Sequence, residues 1–172
     1  MGSEKYNLRD YCLLNGYDIE DLEALGLVSS KNQMDIYRSR LIFPIKSISG
    51  RTIGFGARTL DNNKKSAKYI NSPESKIYNK SNVLFGLYNS KNEIVKKDSC
   101  LIAEGYTDVM RFHQIGINNI VSSSGTALTV SQISLIRRLT KNVTMLFDSD
   151  KAGVNATERA IELLLSQGMN ID

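Results

Sequence analysis

From Asp98 onward the chain repeats one pattern three times: a short β-rich apolar run, a turn, then an amphipathic run of helical spacing. Cys100 to Ala103 is the first apolar run, and residues 106–115 follow with Val109, Met110 and Phe112 to bury and Gly116 to stop the helix. Residues 119–122 form the next expected strand. A small-residue loop over 123–127 then leads to Thr129, placed to cap a helix over 130–139. Residues 143–147 are again β-rich, and an amphipathic run over 154–165 closes at Gly168. Strand and helix alternating in this way predict an α/β unit, a parallel sheet covered by helices.

The upstream part has a different pattern. Asp18 is placed to cap a short helix over 19–25, with Gly26 as a left-handed stop. Runs over 41–45 and 52–58 around Ser49-Gly50 predict a hairpin, whose first strand carries Pro44 and belongs at an edge. Residues 61–67 are polar and read as loop, and 69–73 as a short extended piece ending in a turn. The expected division is therefore a smaller mixed α+β subdomain over 1–97 and an α/β domain over 98–172.

Charge follows the same division. The net +4 is the balance of an acidic stretch over 1–30 (−4), a basic stretch over 31–80 (+8), +1 over 81–100 and −1 over 101–172. The middle stretch is a candidate surface for a polyanion, with a solvated basic face as the bland alternative. One His and two well separated Cys cannot assemble a Cys/His zinc site, so any metal is held mainly by oxygen. The sequence shows neither an apolar run long enough to span a bilayer nor a signal-peptide pattern, and the expected compartment is the cytoplasm. There is no P-loop signature, and Gly54-Phe55-Gly56 does not complete a dinucleotide fingerprint.

In open parallel sheets ligands collect where the strands end. Glu104 follows the first expected strand, and Asp148 and Asp150 follow the third. Alternation in Asp148-Ser149-Asp150 aims both carboxylates one way if the backbone is extended there. Carboxylates gathered without basic neighbours repel unless a cation lies between them, and hard oxygens suit Mg²⁺ or Mn²⁺. Each acid has a structural alternative as a helix cap. Asp108, one helical turn past Glu104, is equally readable as a solvated helix carboxylate. His113 has no evident partner.

Glu104-Gly105-Tyr106-Thr107-Asp108-Val109 and Asp148-Ser149-Asp150-Lys151-Ala152-Gly153 resemble the two signature motifs of the TOPRIM domain, a Rossmann-like unit shared by primases, topoisomerases, recombination mediators and nucleases. Upstream, residues 40–45, Gly54-Phe55-Gly56-Ala57-Arg58, residues 68–74, and Lys80 ahead of Leu84-Phe85-Gly86-Leu87 look like the basic subdomain of the DnaG-type primase RNA polymerase core. Ser124-Gly125-Thr126-Ala127-Leu128 is similar to that family's loop between the TOPRIM motifs. The resemblance implies a DNA-dependent RNA polymerase that synthesises short RNA primers on a single-stranded DNA template from ribonucleoside triphosphates. It implies Mg²⁺ or Mn²⁺ on Glu104, Asp148 and Asp150, supported by Asp108, and contacts to nucleic acid or nucleotide from Arg40, Arg58, Lys68, Asn71 and Lys80.

Two features depart from the family's pattern: Ala67 stands where Pro is frequent, and the chain stops before a further acidic motif. The family's zinc-binding module and its module for the replicative helicase are also missing from the sequence, which reads as a fragment. The alternatives are a TOPRIM nuclease or topoisomerase-like protein, and a catalytically inactive fragment that binds metal and nucleic acid.

Overall fold

The structure, a computed structural model, describes residues 7–60, 67–148 and 151–172. In chain order the elements are α1 (Leu8–Leu14), α2 (Ile19–Ala24), β1 (Arg40–Lys46), β2 (Thr52–Thr59), β3 (Tyr69–Asn71), a 3₁₀ turn (Lys80–Asn82), α3 (Leu87–Lys97), β4 (Cys100–Ala103), α4 (Tyr106–Gln114), β5 (Ile120–Ser122), α5 (Val130–Arg137), β6 (Asn142–Leu146), α6 (Lys151–Ser166) and β7 (Asn170–Ile171). They fall into two compact units: residues 1–44 with 53–78, and residues 45–52 with 79–172.

In the first unit, α1 and α2 precede a three-stranded sheet of order β1-β2-β3, so Pro44 does lie on an edge strand. Asp18 occupies the N-cap of α2, but its side chain makes no cap hydrogen bond, contrary to expectation. Gly26 ends that helix at φ +66°. Asn7 caps α1 by accepting from Asp10, and the Asp35 carboxylate accepts the Leu8 and Arg9 amides at 2.8 and 2.9 Å. A carboxylate against the unpaired amides of a helix start satisfies them and favours the helix dipole.

The second unit holds a sheet of order β5-β4-β6-β7 whose pairs are all parallel, as the alternation predicted. Side chains leave each strand alternately to opposite faces. Cys100, Ile102, Val121 and Val143 pack with Leu87 and Ile94 of α3, Ile133 and Ile136 of α5, and Leu164 of α6. Ala103 and Ile120 pack against Val109 on the other face, joined by Phe112 of α4. Each fully buried aliphatic side chain contributes about 1.5–3 kcal/mol, so this sandwich is a stiff base for the loops at its strand ends.

Helix α3 is an element the sequence reading missed. Its residues Leu87, Ser90 and Ile94 face inward, and because they enter the β4 core, residues 79–97 belong to the second compact unit. Phe85, just before it, exchanges backbone hydrogen bonds with Ser122 and covers the edge of β5. Thr129 caps α5 as expected, in a capping box with Gln132. That Gln132 is fully buried and bonds the Lys80 and Val83 carbonyls, which ties the 3₁₀ turn to α5.

Candidate active site

Strand β4 is central, and its last residue, Ala103, is level with Ser122 of β5 and Leu146 of β6. Glu104, Ser123 and Phe147 therefore leave the sheet together at its carboxyl end. From β4 the chain goes to β5 on one side and then to β6 on the other, which makes this the switch point of the sheet.

Glu104 is fixed by both of its neighbours. Its carbonyl accepts from the Ser122 hydroxyl at 2.8 Å and from the Gly125 amide at 3.2 Å. Its Oε1 accepts the Asp148 amide at 2.9 Å. Gly153 packs so closely that a Cβ there would collide with the Asp148 carbonyl oxygen and lie 3.0 Å from Glu104 Oε1. The motif residues Glu104, Asp148 and Gly153 thus meet at one place. Asp108 does something else with at least one oxygen: its Oδ2 accepts the Gly105 amide at 3.1 Å and completes the start of α4. Asp150 lies outside the described residues. Among the described residues no three His, Cys, Asp or Glu side chains are grouped to hold a metal. Neither Glu104 nor Asp148 is engaged by a basic side chain there, since the ion pairs are Arg9–Asp10 and Lys96–Glu93.

Beside Glu104 lies a cleft of about 320 Å³. The loop after β5 forms one wall, with Ser124 and Gly125 both left-handed at φ +63° and +77° and with Ser123 and Thr126 exchanging hydroxyl-to-carbonyl bonds. Phe147 and one face of α6, including Arg159, form the other. Arg159 and the Ser122 anchor escaped the sequence reading. Arg159 had no signal beyond its place six residues after Gly153, and the Ser122 bond joins residues of two different strand ends.

The basic candidates are distributed between the units. In the first, strand register brings Arg40, Arg58 and Lys68 to the same end of the sheet. Arg58 is opposite Tyr69 and its guanidinium sits 5.9 Å over that ring. Arg40 Nη1 donates to the Ala67 carbonyl at 2.9 Å, and the Lys68 carbonyl accepts the Thr59 amide. Asn71 is two residues further along β3, opposite Gly56. Lys80 belongs to the second unit, at the start of the 3₁₀ turn. The loop lysines Lys64 and Lys65 lie outside the described residues.

His113, expected to stand alone, has a partner. Ser90 donates its one proton to the Ile120 carbonyl at 2.7 Å, so the 3.2 Å contact with His113 is Nε2–H donating to Ser90 Oγ. Burial lowers the His113 pKa. It holds α4 to α3 and is remote from Glu104 in role.

Comparison with known proteins gives the context for this geometry. Residues 2–91 match the model of the DNA primase catalytic core, N-terminal domain, and residues 101–172 match a Toprim-like model. The DNA primase of Clostridium acetobutylicum is 44% identical over 159 residues, which are 91% of this chain and 26% of that protein. The chain thus spans about a quarter of that relative's length. The Aquifex aeolicus primase crystal structure, comprising zinc-binding and RNA polymerase domains, superposes with a TM-score of 0.81 at 43% identity, over 87% of this chain and 38% of that one. A DnaG primase catalytic domain bound to single-stranded DNA superposes with a TM-score of 0.82 at 37% identity, over 94% of this chain and 55% of that one. With more than half its length in the first of these models and a Toprim-like sheet carrying the acidic strand ends, the chain belongs to the DNA primase catalytic-core family.

Proposed function

We propose that this chain supplies part of a primase RNA polymerase core, which makes short RNA primers on single-stranded DNA by metal-dependent nucleotidyl transfer in the bacterial replisome. The carrying observation is the meeting of Glu104 with the start of the Asp148 segment at the switch point of a parallel sheet. We take residues 1–97 and 98–172 as the two modules, with α3 a part of the first that packs on the second.

The reaction joins a ribose 3′-oxygen to the α-phosphorus of a ribonucleoside triphosphate, breaks the bond between the α- and β-phosphates so that pyrophosphate leaves, and gives the hydroxyl proton to water. The carboxylates of Glu104 and Asp148 are hard oxygen donors without basic partners among the described residues, which fits Mg²⁺ or Mn²⁺. When bound, such an ion offsets the charge that develops on the phosphoryl oxygens. Glu104 and Asp148 would hold the ion, and Asp150 is assigned to the same set from its motif. Asp108 supports them by holding the Gly105 amide next to Glu104. Gly153 leaves room for Glu104 and Asp148 to approach each other. Arg40, Arg58 and Lys68 neutralise phosphates, Arg58 in the bidentate manner open to a guanidinium. Asn71 donates without charge, and Lys80 contributes from the second unit.

Binding of single-stranded DNA tests this reading. Four basic phosphate contacts give a slope of log affinity against log salt of roughly −3, so affinity falls about 50-fold between 50 and 200 mM salt. Salt-independent binding contradicts it, as does degradation of labelled single-stranded DNA by the chain with Mn²⁺ in the absence of nucleoside triphosphates, which is nuclease behaviour.

A further inference from the structure

The polymerisation reading leaves Arg159 unused. Its side chain lines the cleft that also contains Glu104, Thr126, Phe147 and Ala156. Among the described residues it takes part in no ion pair, the two pairs there being Arg9–Asp10 and Lys96–Glu93, and no hydrogen bond of its guanidinium is formed. An arginine carries five donors in a rigid fork matched to phosphate oxygens, and water is a poor substitute for that geometry.

The cleft itself is built by residue size. Gly153, Ala156 and Ala160 lie three and four residues apart on α6 and so share one face, which is low enough to leave space above it. Leu128 and Phe147 supply apolar surface, and the loop of Ser123 to Ala127 closes the far side. A carboxylate and a guanidinium thus line one small cavity. Its complement is a ligand that is neutral and flat in the middle and anionic where it meets Arg159. A volume of about 320 Å³ is at the small end of ligand pockets, of mononucleotide rather than polymer size.

We propose that this cleft is a nucleotide pocket in which Arg159 binds a phosphate of a nucleoside triphosphate. The proposal rests on the polymerisation reading, which brings nucleotide to Glu104. Arg159 is a binding residue here, and the small face of α6 is what admits the ligand.

The experiment is calorimetric titration of the chain, and of its Arg159→Ala, Arg159→Lys and Ala156→Leu variants, with Mn²⁺–ATP. Mn²⁺ alone and a single-stranded oligonucleotide are titrated in parallel. Loss of a charge-assisted phosphate contact weakens Mn²⁺–ATP binding about 10- to 100-fold in Arg159→Ala. Arg159→Lys recovers part of it, and Ala156→Leu, which fills the cleft, weakens it similarly. Mn²⁺ and oligonucleotide affinities stay unchanged. Unchanged Mn²⁺–ATP affinity in Arg159→Ala overturns the proposal, as does a loss confined to the oligonucleotide or the absence of nucleotide binding by the unsubstituted chain. Failure of the underlying reading shows separately, as Mn²⁺ affinity retained in Glu104→Gln.

Discussion

Gly153→Ala separates the requirements of the site from those of the helix that carries it. Within a helix, alanine is favoured over glycine by about 1 kcal/mol. Gly153 has no left-handed backbone to excuse its presence, and it lies inside α6. The added methyl, however, would collide with the Asp148 carbonyl oxygen and sit 2.9 Å from the Asp148 carbonyl carbon and 3.0 Å from Glu104 Oε1. Overpacking against backbone costs about 1–3 kcal/mol, because a carbonyl cannot rotate away as a flexible side chain can. Set against the helix gain, the net effect is a loss of up to about 2 kcal/mol. For a chain of this size that lowers Tm by up to about 8 °C. The displaced groups are the Glu104 carboxylate and the Asp148 backbone, so Mn²⁺ affinity falls about 10-fold or more. Asn155→Ala, at an exposed position of the same helix, is the control and raises Tm slightly. The assay is thermal unfolding by circular dichroism, paired with a Mn²⁺ titration. If Gly153→Ala stabilises the protein as Asn155→Ala does and keeps Mn²⁺ affinity, the steric argument is refuted.

Other expectations follow from the same structure. Gln132→Leu removes the bonds that this side chain makes to the Lys80 and Val83 carbonyls and to the Thr129 amide, and costs about 2–4 kcal/mol by denaturant unfolding; a change under about 0.5 kcal/mol contradicts the role given to this buried amide. Burial pushes the Cys100 thiol up to about 12. A thiol reagent at pH 8 should therefore label Cys12 alone in the native chain and both cysteines after denaturation, whereas rapid native labelling of Cys100 contradicts its burial. The His113 pKa is lowered on folding by burial, so the unfolded chain binds the proton more readily. Its contribution to stability is fully present above its unfolded value near 6.5 and is lost as pH falls through the lower folded value; His113→Gln should flatten that part of the stability profile.

The parts of the molecule legible in the sequence are those whose signal is local. Strands β4, β5 and β6 announce themselves as short apolar runs at regular spacing, and that spacing alone puts Glu104 and Asp148 at strand ends. Thr129 and Gln132 form a cap that two residues specify between them. Elements whose support comes from far along the chain were not legible. Helix α1 buries none of its residues and is started by Asp35, more than 20 positions away. Helix α3 has too few apolar residues to stand out, and takes its inward face from a sheet formed later in the chain. Arg159 joins the Glu104 cleft only because β6 returns beside β4 and α6 folds back over the strand ends. Ser90 and His113, 23 positions apart, meet directly only because the fold brings α3 beside α4, where the same Ser90 hydroxyl also donates to the Ile120 carbonyl.

Everything proposed for the strand ends depends on Glu104 and Asp148 binding one divalent cation together. Electron paramagnetic resonance of free Mn²⁺ titrated with the unsubstituted chain, Glu104→Gln and Asp148→Asn measures this directly, with circular dichroism as the check on folding. The unsubstituted chain is expected to bind Mn²⁺ and each variant to lose 10-fold or more in affinity, with the fold intact. Equal Mn²⁺ affinity in all three folded proteins contradicts it.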